Sequence, residues 1–330
     1  MRRSPPSSKG IRLTTIFKSG SLRFALFVSA LYAGRLSLVL LLAALSLSSC
    51  TQRERHNSQP LVSLTDDLGH VVALQHVPRR IISLAPSITE TLFALGLDSS
   101  LVGVTDYCDE PAAAKRKAKI GGILNPNIER ILSLQPDLVL MSGSGNMRSD
   151  YDKLTSSGIS AFVSHPRSIE GILKSITDIG ILTSRKPVAD SLVRLLLQRR
   201  DELVRQAATR QKKTVLMLLS LNPIVAIGPG TFLDELITLA NGTNIAHNST
   251  TAYPLLSREE ILRRQPDVII ATNDIVHSND DVLSPYPEWK SLTAVQNKRV
   301  AVVDASIVSR PGPRIIDGLD AVVRAIHFSR

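Results

Sequence analysis

The sequence predicts an α/β protein of two doubly wound α/β lobes joined by one long α-helix. Three observations predict it. Short apolar runs alternate with helix-patterned segments, the texture of mostly parallel sheets covered on both faces. Residues 188–211 are helix-patterned without a break, about 36 Å at 1.5 Å per residue and long for a simple crossover. A 14-residue string recurs at an offset of 130 residues on the far side of that helix.

The elements come in order along the chain. Leu61-Val62-Ser63-Leu64 and Val71-Val72-Ala73-Leu74 flank Asp66-Asp67-Leu68-Gly69 and read as a β-hairpin. Arg80-Ile81-Ile82-Ser83-Leu84 suits a buried strand. Ser87-Ile88-Thr89-Glu90 reads as a capping box opening a helix that runs to Leu95 and stops at Gly96. Strands are expected at 101–104, 138–141 and 160–163. Helices are expected at 169–183 and 188–211, with Pro187 at the tolerated start position. Leu192, Leu195, Leu196, Leu203 and Val204 lie at helical spacing in the second. Strands at 215–219, 224–227, 268–271 and 300–303 then accompany a helix from Thr231 and a closing helix from Arg314. The lobes are thus 61–167 and 212–330, with a helical segment at 168–211 between them.

Charge distribution narrows the function. The 330 residues carry 39 Lys+Arg against 29 Asp+Glu, a formal +10. Seven of the basic residues and none of the acids precede Cys50. From Thr51 onward the balance is 32 to 29, which no longer asks for a nucleic-acid partner. Two cysteines exclude a disulfide scaffold and a four-cysteine zinc site.

The basic leader precedes an apolar run from Leu36 that ends in Leu47-Ser48-Ser49-Cys50. The run has signal-peptide length and falls short of the roughly 20 apolar residues of a membrane span. If Arg35 is tolerated, residues 24–47 are long enough, so an anchor helix is the alternative. The closing tetrad resembles the lipobox of bacterial lipoproteins. That resemblance implies cleavage of a signal peptide at 1–49, lipidation of Cys50 and a lipidated tether at 50–60, with a lipid anchor in the membrane. Either reading places the folded part outside the cytoplasm, in the periplasm or at the cell surface.

The repeat is the strongest internal signal. Asn127-Ile128-Glu129-Arg130-Ile131-Leu132-Ser133-Leu134-Gln135-Pro136-Asp137-Leu138-Val139-Leu140 matches Ser257-Arg258-Glu259-Glu260-Ile261-Leu262-Arg263-Arg264-Gln265-Pro266-Asp267-Val268-Ile269-Ile270. Each copy places a Glu near a helix start, and Gln-Pro-Asp ends the helix and feeds an apolar strand. One such Glu is ordinarily a helix-start residue favoured by the macrodipole. A matched pair on two similar lobes presents a two-point acidic surface suited to a roughly two-fold basic partner.

With these strings in place, the sequence resembles the extracytoplasmic substrate-binding proteins of ABC importers for cobalamin, haem and ferric siderophores. Thr65-Asp66-Asp67-Leu68-Gly69, Arg80 through Glu90, the two repeat copies, Gly228-Pro229-Gly230-Thr231-Phe232 and Arg310-Pro311-Gly312-Pro313-Arg314 carry the resemblance. It implies two α/β lobes joined by one long rigid helix, a ligand cleft between them, small lobe motions and no cofactor. It also implies that Glu129 and Glu259 dock on arginines of the permease, whose ATPase subunits drive release. A monomer is expected.

Ligands of doubly wound sheets bind beyond the carboxyl ends of the strands. That rule nominates residues 85–87, 105–107, 142–145, 164–165, 220–222, 272–274 and 306–310. The resemblance aligns Tyr107 with a ligand-stacking tyrosine, and Ile123 and Tyr253 with two tryptophans that pack on the corrin. Ile123 forfeits the aromatic face, and the acidic and aromatic contacts expected near Ser306 and Val308 are missing. Cobalamin is therefore one candidate beside ferric siderophores and haem. Arg310 is read as a ligand-binding guanidinium at the cleft. Arg314 is either a second such group or an ion-pair partner within the last helix. His165 reads as a hydrogen-bonded wall residue or an iron ligand. Cys108 is expected to be a buried or half-buried free thiol, and Trp289 to pack near the rim of the second lobe.

Other classes fit less well. Ser142-Gly143-Ser144-Gly145 misses the G-x-S-x-G elbow, and Gly228-Pro229-Gly230 lacks the third glycine of a dinucleotide fingerprint. No enzyme is expected. A zinc- or manganese-binding protein of a metal-ion importer is the nearer alternative, although the seven His are scattered.

Overall fold

The computed structural model describes residues 60–328. The described residues belong to one compact unit, which holds both lobes. The expected signal peptide, the lipidation site Cys50 and most of the tether lie outside the described residues.

A hairpin of β1 (Val62–Thr65) and β2 (Val71–Leu74) opens the unit. The first lobe then runs β3 (Ile81–Ser83), α1 (Pro86–Ala94), β4 (Leu101–Val104), β5 (Ala118–Lys119), α2 (Ile128–Ser133), β6 (Leu138–Ser142), α3 (Arg148–Ser156) and β7 (Ser160–Ser164). Its strands form one parallel sheet in the order β5-β4-β3-β6-β7. Helices α4 (Ile169–Leu182) and α5 (Lys186–Ala208) come next. The second lobe comprises β8 (Lys213–Leu221), β9 (Ile224–Ala226), α6 (Phe232–Leu239), β10 (Gly242–Asn244), α7 (Arg258–Arg264), β11 (Val268–Thr272), α8 (Asn279–Leu283), α9 (Thr293–Gln296), β12 (Val300–Val303), α10 (Ala305–Val308) and α11 (Ile315–His327). Its sheet is parallel in the order β10-β8-β11-β12, with β9 returning antiparallel on β8.

Alternation along the strands explains the layering, because successive side chains leave opposite faces of a sheet. In the first sheet Ile82, Val139, Met141 and Val163 enter an outer core. In the second, Leu216, Leu218, Ile269 and Ala271 pack on a separate outer core that includes Trp289. The intervening residues Ile81, Leu138, Leu140 and Phe162 of one sheet and Val215, Met217, Val268 and Ile270 of the other belong to a single inner core. Leu196, Leu203 and Ala207 of α5 and Ile315, Ile316 and Leu319 of α11 join that same core. The two lobes therefore share buried apolar surface. Each such side chain is worth about 1.5–3 kcal/mol, so prying the lobes apart is costly.

Helix α5 has 23 residues and is about 35 Å long. It starts at Lys186, two residues before the expected position, because Pro187 occupies the first turn. At its start Ala189 comes so close to Gly180 of α4 that a Cβ on the glycine would lie 2.5 Å from that of Ala189. Arg199 of α5 pairs with Asp317 of α11.

Two local expectations are corrected. The capping box at Ser87 and Glu90 does not form: Ala85 is the N-cap of α1, Pro86 sits in the first turn, and both Ser87 and Glu90 are buried inside the helix. Trp289 is fully buried in the outer core of the second lobe rather than at a rim. Gly96 ends α1 with φ +70°, as expected of a helix stop.

The two repeat copies fold alike. Asn127 and Ser257 cap α2 and α7, accepting hydrogen bonds from the Arg130 and Glu260 N–H groups at 2.8 and 3.1 Å. Gln135 and Gln265 lie in the left-handed region at φ 46° and 47°, because a following proline closes the αR region to them. Asp137 then accepts from the Arg79 and Arg80 N–H groups at 2.6 and 2.9 Å. Asp267 does the same for the N–H and hydroxyl of Thr214 at 2.7 and 2.8 Å. Each aspartate thus ties the start of its own strand to the start of the central strand beside it, β3 or β8.

Candidate functional site

Strand order places the switch points between β3 and β6 in one sheet and between β8 and β11 in the other. In sheets of this kind ligands bind at such points, beyond the carboxyl ends of the strands. The loop after β3 leads into α1, and the loop before α11 meets it. A Cβ on Gly312 would stand 3.1 Å from the carbonyl oxygen of Ser87, a close lobe-to-lobe backbone approach that a larger residue would crowd. Ala85 and Ser87 are buried rather than open to a ligand.

An ion cluster locks this seam. The Glu90 carboxylate of the first lobe is only 6% exposed. Arg314 of the second lobe grips both its oxygens, with Nε to Oε2 at 2.9 Å and Nη2 to Oε1 at 2.7 Å. Arg310 donates through Nη1 to the same Oε1 at 3.1 Å and to Asp109 Oδ1 at 2.6 Å. Nη2 of Arg314 also donates to the Ser306 carbonyl at 3.1 Å, which fixes the fork. Two cations facing two anions give a neutral cluster, and the forked geometry is the strong form of the arginine–carboxylate pair. The hydrogen bond from Arg310 holds the Asp109 carboxyl below its usual range, against the opposing effect of burial. For Arg310, burial works against its charge, but the hydrogen bonds to Asp109 and Glu90 outweigh it and raise its pKa. The hydrogen bond to Glu90 raises that of Arg314.

These contacts change the reading of three residues. Arg310 was expected to offer its guanidinium to a ligand; its charge is instead matched by Glu90 and Asp109. Arg314 pairs with Glu90 of the other lobe, not within its own helix, and Ser306 supports it. Glu90 escaped the sequence reading because its spacing from Ser87 suits a capping box, and nothing local signals a partner 224 residues away.

The aromatic candidates divide between the lobes. Tyr107 is 61% exposed, and its ring edge passes 3.9 Å from where a Cβ on Gly122 would stand. Ile123 is half-buried and covers Gly145, where a Cβ would meet its Cγ2 at 2.5 Å. Asn146 donates to the Ile123 carbonyl at 2.7 Å and accepts from Ser142 N–H at 2.7 Å, pinning the two loops together. The Tyr107 ring therefore neighbours Gly122, the residue before Ile123. Tyr253, 51% exposed, stands on the second lobe. Its segment runs beside β9, with Ala226 N–H bonded to the Pro254 carbonyl and Gly228 N–H to the Ala252 carbonyl. Extended backbone puts Tyr253 and Leu255 on one side, and both are exposed while Pro254 is buried.

His165 packs over Gly143, where a Cβ would fall 2.7 Å from its ring, and its Nδ1 lies 3.3 Å from Ser144 Oγ. Its backbone N–H donates to Asp67 at 2.7 Å. Cys108 is a buried free thiol beside the hydroxyls of Thr89 and Thr105. Glu129 and Glu259 sit exposed in the first turns of α2 and α7. Glu260, next to Glu259, is occupied by Arg263 and Arg264. Glu259 forms no ion pair among the described residues, and its own backbone N–H and the Ser257 hydroxyl hold its carboxyl below the usual range. A groove of about 860 Å³ runs along edge strand β12 and α11, lined by Val302, Asp320, Arg324 and Phe328 among others, and reaches Asp304 and Ile307 on either side of Ser306.

Two parallel α/β lobes, a helix-rich layer between them and matched helix-start carboxylates define a two-lobed binding-protein frame. The chain belongs to the periplasmic binding protein family, whose profile matches residues 81–307. It is 31% identical over 304 residues, 87% of this chain and 95% of the relative, to an uncharacterized ABC transporter substrate-binding lipoprotein of Bacillus subtilis, YvrC. It is 32% identical over 252 residues, 76% of this chain and 90% of the relative, to a vitamin B12-binding protein of Vibrio cholerae. The solved periplasmic vitamin B12-binding protein of Vibrio cholerae superposes with a TM-score of 0.67 at 30% identity, covering 76% of this chain and 97% of that one. The periplasmic haem-binding protein BhuT, solved with two haems, superposes with a TM-score of 0.69 at 25% identity, covering 75% and 97%. These relatives are binding proteins, and the family is extracytoplasmic. No described helix is long and apolar enough to cross a membrane.

Proposed function

We propose that this chain is the substrate-binding component of an ABC importer, capturing a metal chelate between residues 61–167 and 212–330 and delivering it to the permease. The chelate is a corrinoid, a haem or a ferric siderophore. The relatives named for vitamin B12 and haem support this class over bare zinc or manganese. Tyr107 and Ile123 on one lobe and Tyr253 on the other supply the ligand-facing surface. Ser306 and Arg310 act behind it, holding the lobes in register. The observation that carries delivery is the pair of exposed carboxylates at equivalent helix starts, Glu129 and Glu259, each placed by the same cap and the same Gln-Pro-Asp stop. They dock on cations of the permease, whose ATPase drives release. The protein performs no catalysis, acts as a monomer and is held at the membrane through a lipid on Cys50. Titration of the purified chain with cyanocobalamin, haemin and a ferric hydroxamate tests the reading: saturable binding of one supports it, and binding of none defeats it.

A further inference from the structure

The neutral cluster at Glu90 leaves open where the second charge-bearing part of the seam lies. Residues 165–168 form the loop between β7 and α4, and the backbone is pinned on both sides. His165 N–H is held by Asp67 of the hairpin, and Ile169 N–H donates to Glu235 Oε2 of the second lobe at 2.7 Å. Ser168 caps α4 through the Gly171 N–H. Between these fixed points stands Arg167, exposed and without an ion-pair partner among the described residues. Its Nη2 reaches across to the second lobe, 3.9 Å from where a Cβ on Gly230 would stand.

On the opposite wall Gly230 leaves space beside Arg167, and Gly228 is closely packed on its own lobe. Gly230 has φ +72° and no side chain, and Gly228 could not carry one, since its Cβ would lie 2.3 Å from the Thr251 carbonyl oxygen. The same Gly228 bonds to Ala252, next to Tyr253. The second-lobe carboxylates nearest this loop are committed, while Glu170, in the first turn of α4, is exposed and forms no ion pair with Arg167. Glu235 serves Ile169, and Asp234 accepts from Asn244 and faces His247 at 2.9 Å. Arg310 and Arg314 are neutralised, whereas Arg167 is an exposed guanidinium with no ion-pair partner among the described residues, on a loop whose backbone is held at both ends at the carboxyl end of β7.

Resting on the proposed transport role, we infer that Arg167 is a specificity-determining residue that binds an oxyanion of the chelate, a carboxylate or a phosphate. The cargo then carries negative charge on its periphery, as a haem propionate or a corrinoid phosphodiester does, and a neutral trihydroxamate is disfavoured. A guanidinium fork recognises either oxyanion in the same bidentate way.

The test uses the full chain in detergent, with haemin, cyanocobalamin and ferrichrome as carboxylate, phosphate and neutral probes. For the anionic probe that binds, Arg167→Glu should weaken affinity about tenfold or more, as expected for a charge-assisted hydrogen bond. Arg167→Lys should keep most of it, and raising salt should weaken the wild type more than Arg167→Gln. Which of haemin and cyanocobalamin responds identifies the oxyanion. Equal affinity in wild type and Arg167→Glu, with an unchanged melting temperature, overturns the inference while leaving the transport reading intact. So does a wild type that prefers ferrichrome. Failure of all three probes to bind the wild type overturns both.

Discussion

Glu90 is the point at which the two lobes are most sharply tested. Replacing it with Gln keeps the volume but removes the charge facing Arg310 and Arg314. The amide can present one acceptor where two oxygens now take three hydrogen bonds, and its NH2 group faces a donor. Removing one partner of a buried ion pair costs about 3–5 kcal/mol. The arginine side chains are 19% and 29% exposed, so water recovers part of that, leaving about 2–3 kcal/mol. For a chain of this size each kcal/mol moves Tm by about 2–4 °C, so a fall of about 4–12 °C is expected. Thermal unfolding followed by circular dichroism reads it. A double-mutant cycle with Arg314→Gln should show coupling of about 1 kcal/mol or more, because the two groups share one network. Additive single mutants, or a Tm for Glu90→Gln within a degree of the wild type, would refute the claim that this cluster joins the lobes.

Three further outcomes are expected. Asp109 is held below its ordinary value of 3.8, so the stability it adds is complete above that pH and lost as pH falls through its lower folded value. The Tm gap between wild type and Asp109→Asn should therefore be constant above about pH 5 and close on acidification below pH 4; a gap that widens there contradicts the pairing. Asp137→Ala and Asp267→Ala should each cost about 1–3 kcal/mol in urea unfolding, since each strands N–H groups at the start of a central strand. A penalty at only one of the two would break the equivalence of the repeat. Charge reversal of both Glu129 and Glu259 should leave chelate affinity unchanged and abolish transport in reconstituted vesicles, and lost affinity would place these carboxylates in the ligand site instead.

Much of this architecture was legible locally. Apolar runs such as Leu138-Val139-Leu140 and Val268-Ile269-Ile270 became central strands because period-two alternation feeds two cores at once. The repeat was visible as a string, and its caps and proline stops act within a few residues of themselves. What the aspartates of that repeat do was not visible, because their partners lie 57 and 53 residues away. The seam was hidden for the same reason. Glu90 and Arg314 meet only after both sheets have formed, and the spacing of Ser87 and Glu90 offers a local explanation that Pro86 overrides. Arg167 gave no signal at all: a lone arginine before a helix cap acquires meaning only beside Gly230.

The central claim is that this chain binds a metal chelate for import. Equilibrium titration of the purified chain with cyanocobalamin, haemin and ferrichrome, read by absorbance and by the shift in Tm, tests it most directly. One of the three should saturate at a single stoichiometry with micromolar or tighter affinity and raise Tm by mass action. A chain that ignores all three, yet is stabilised by zinc or manganese alone, would contradict the account.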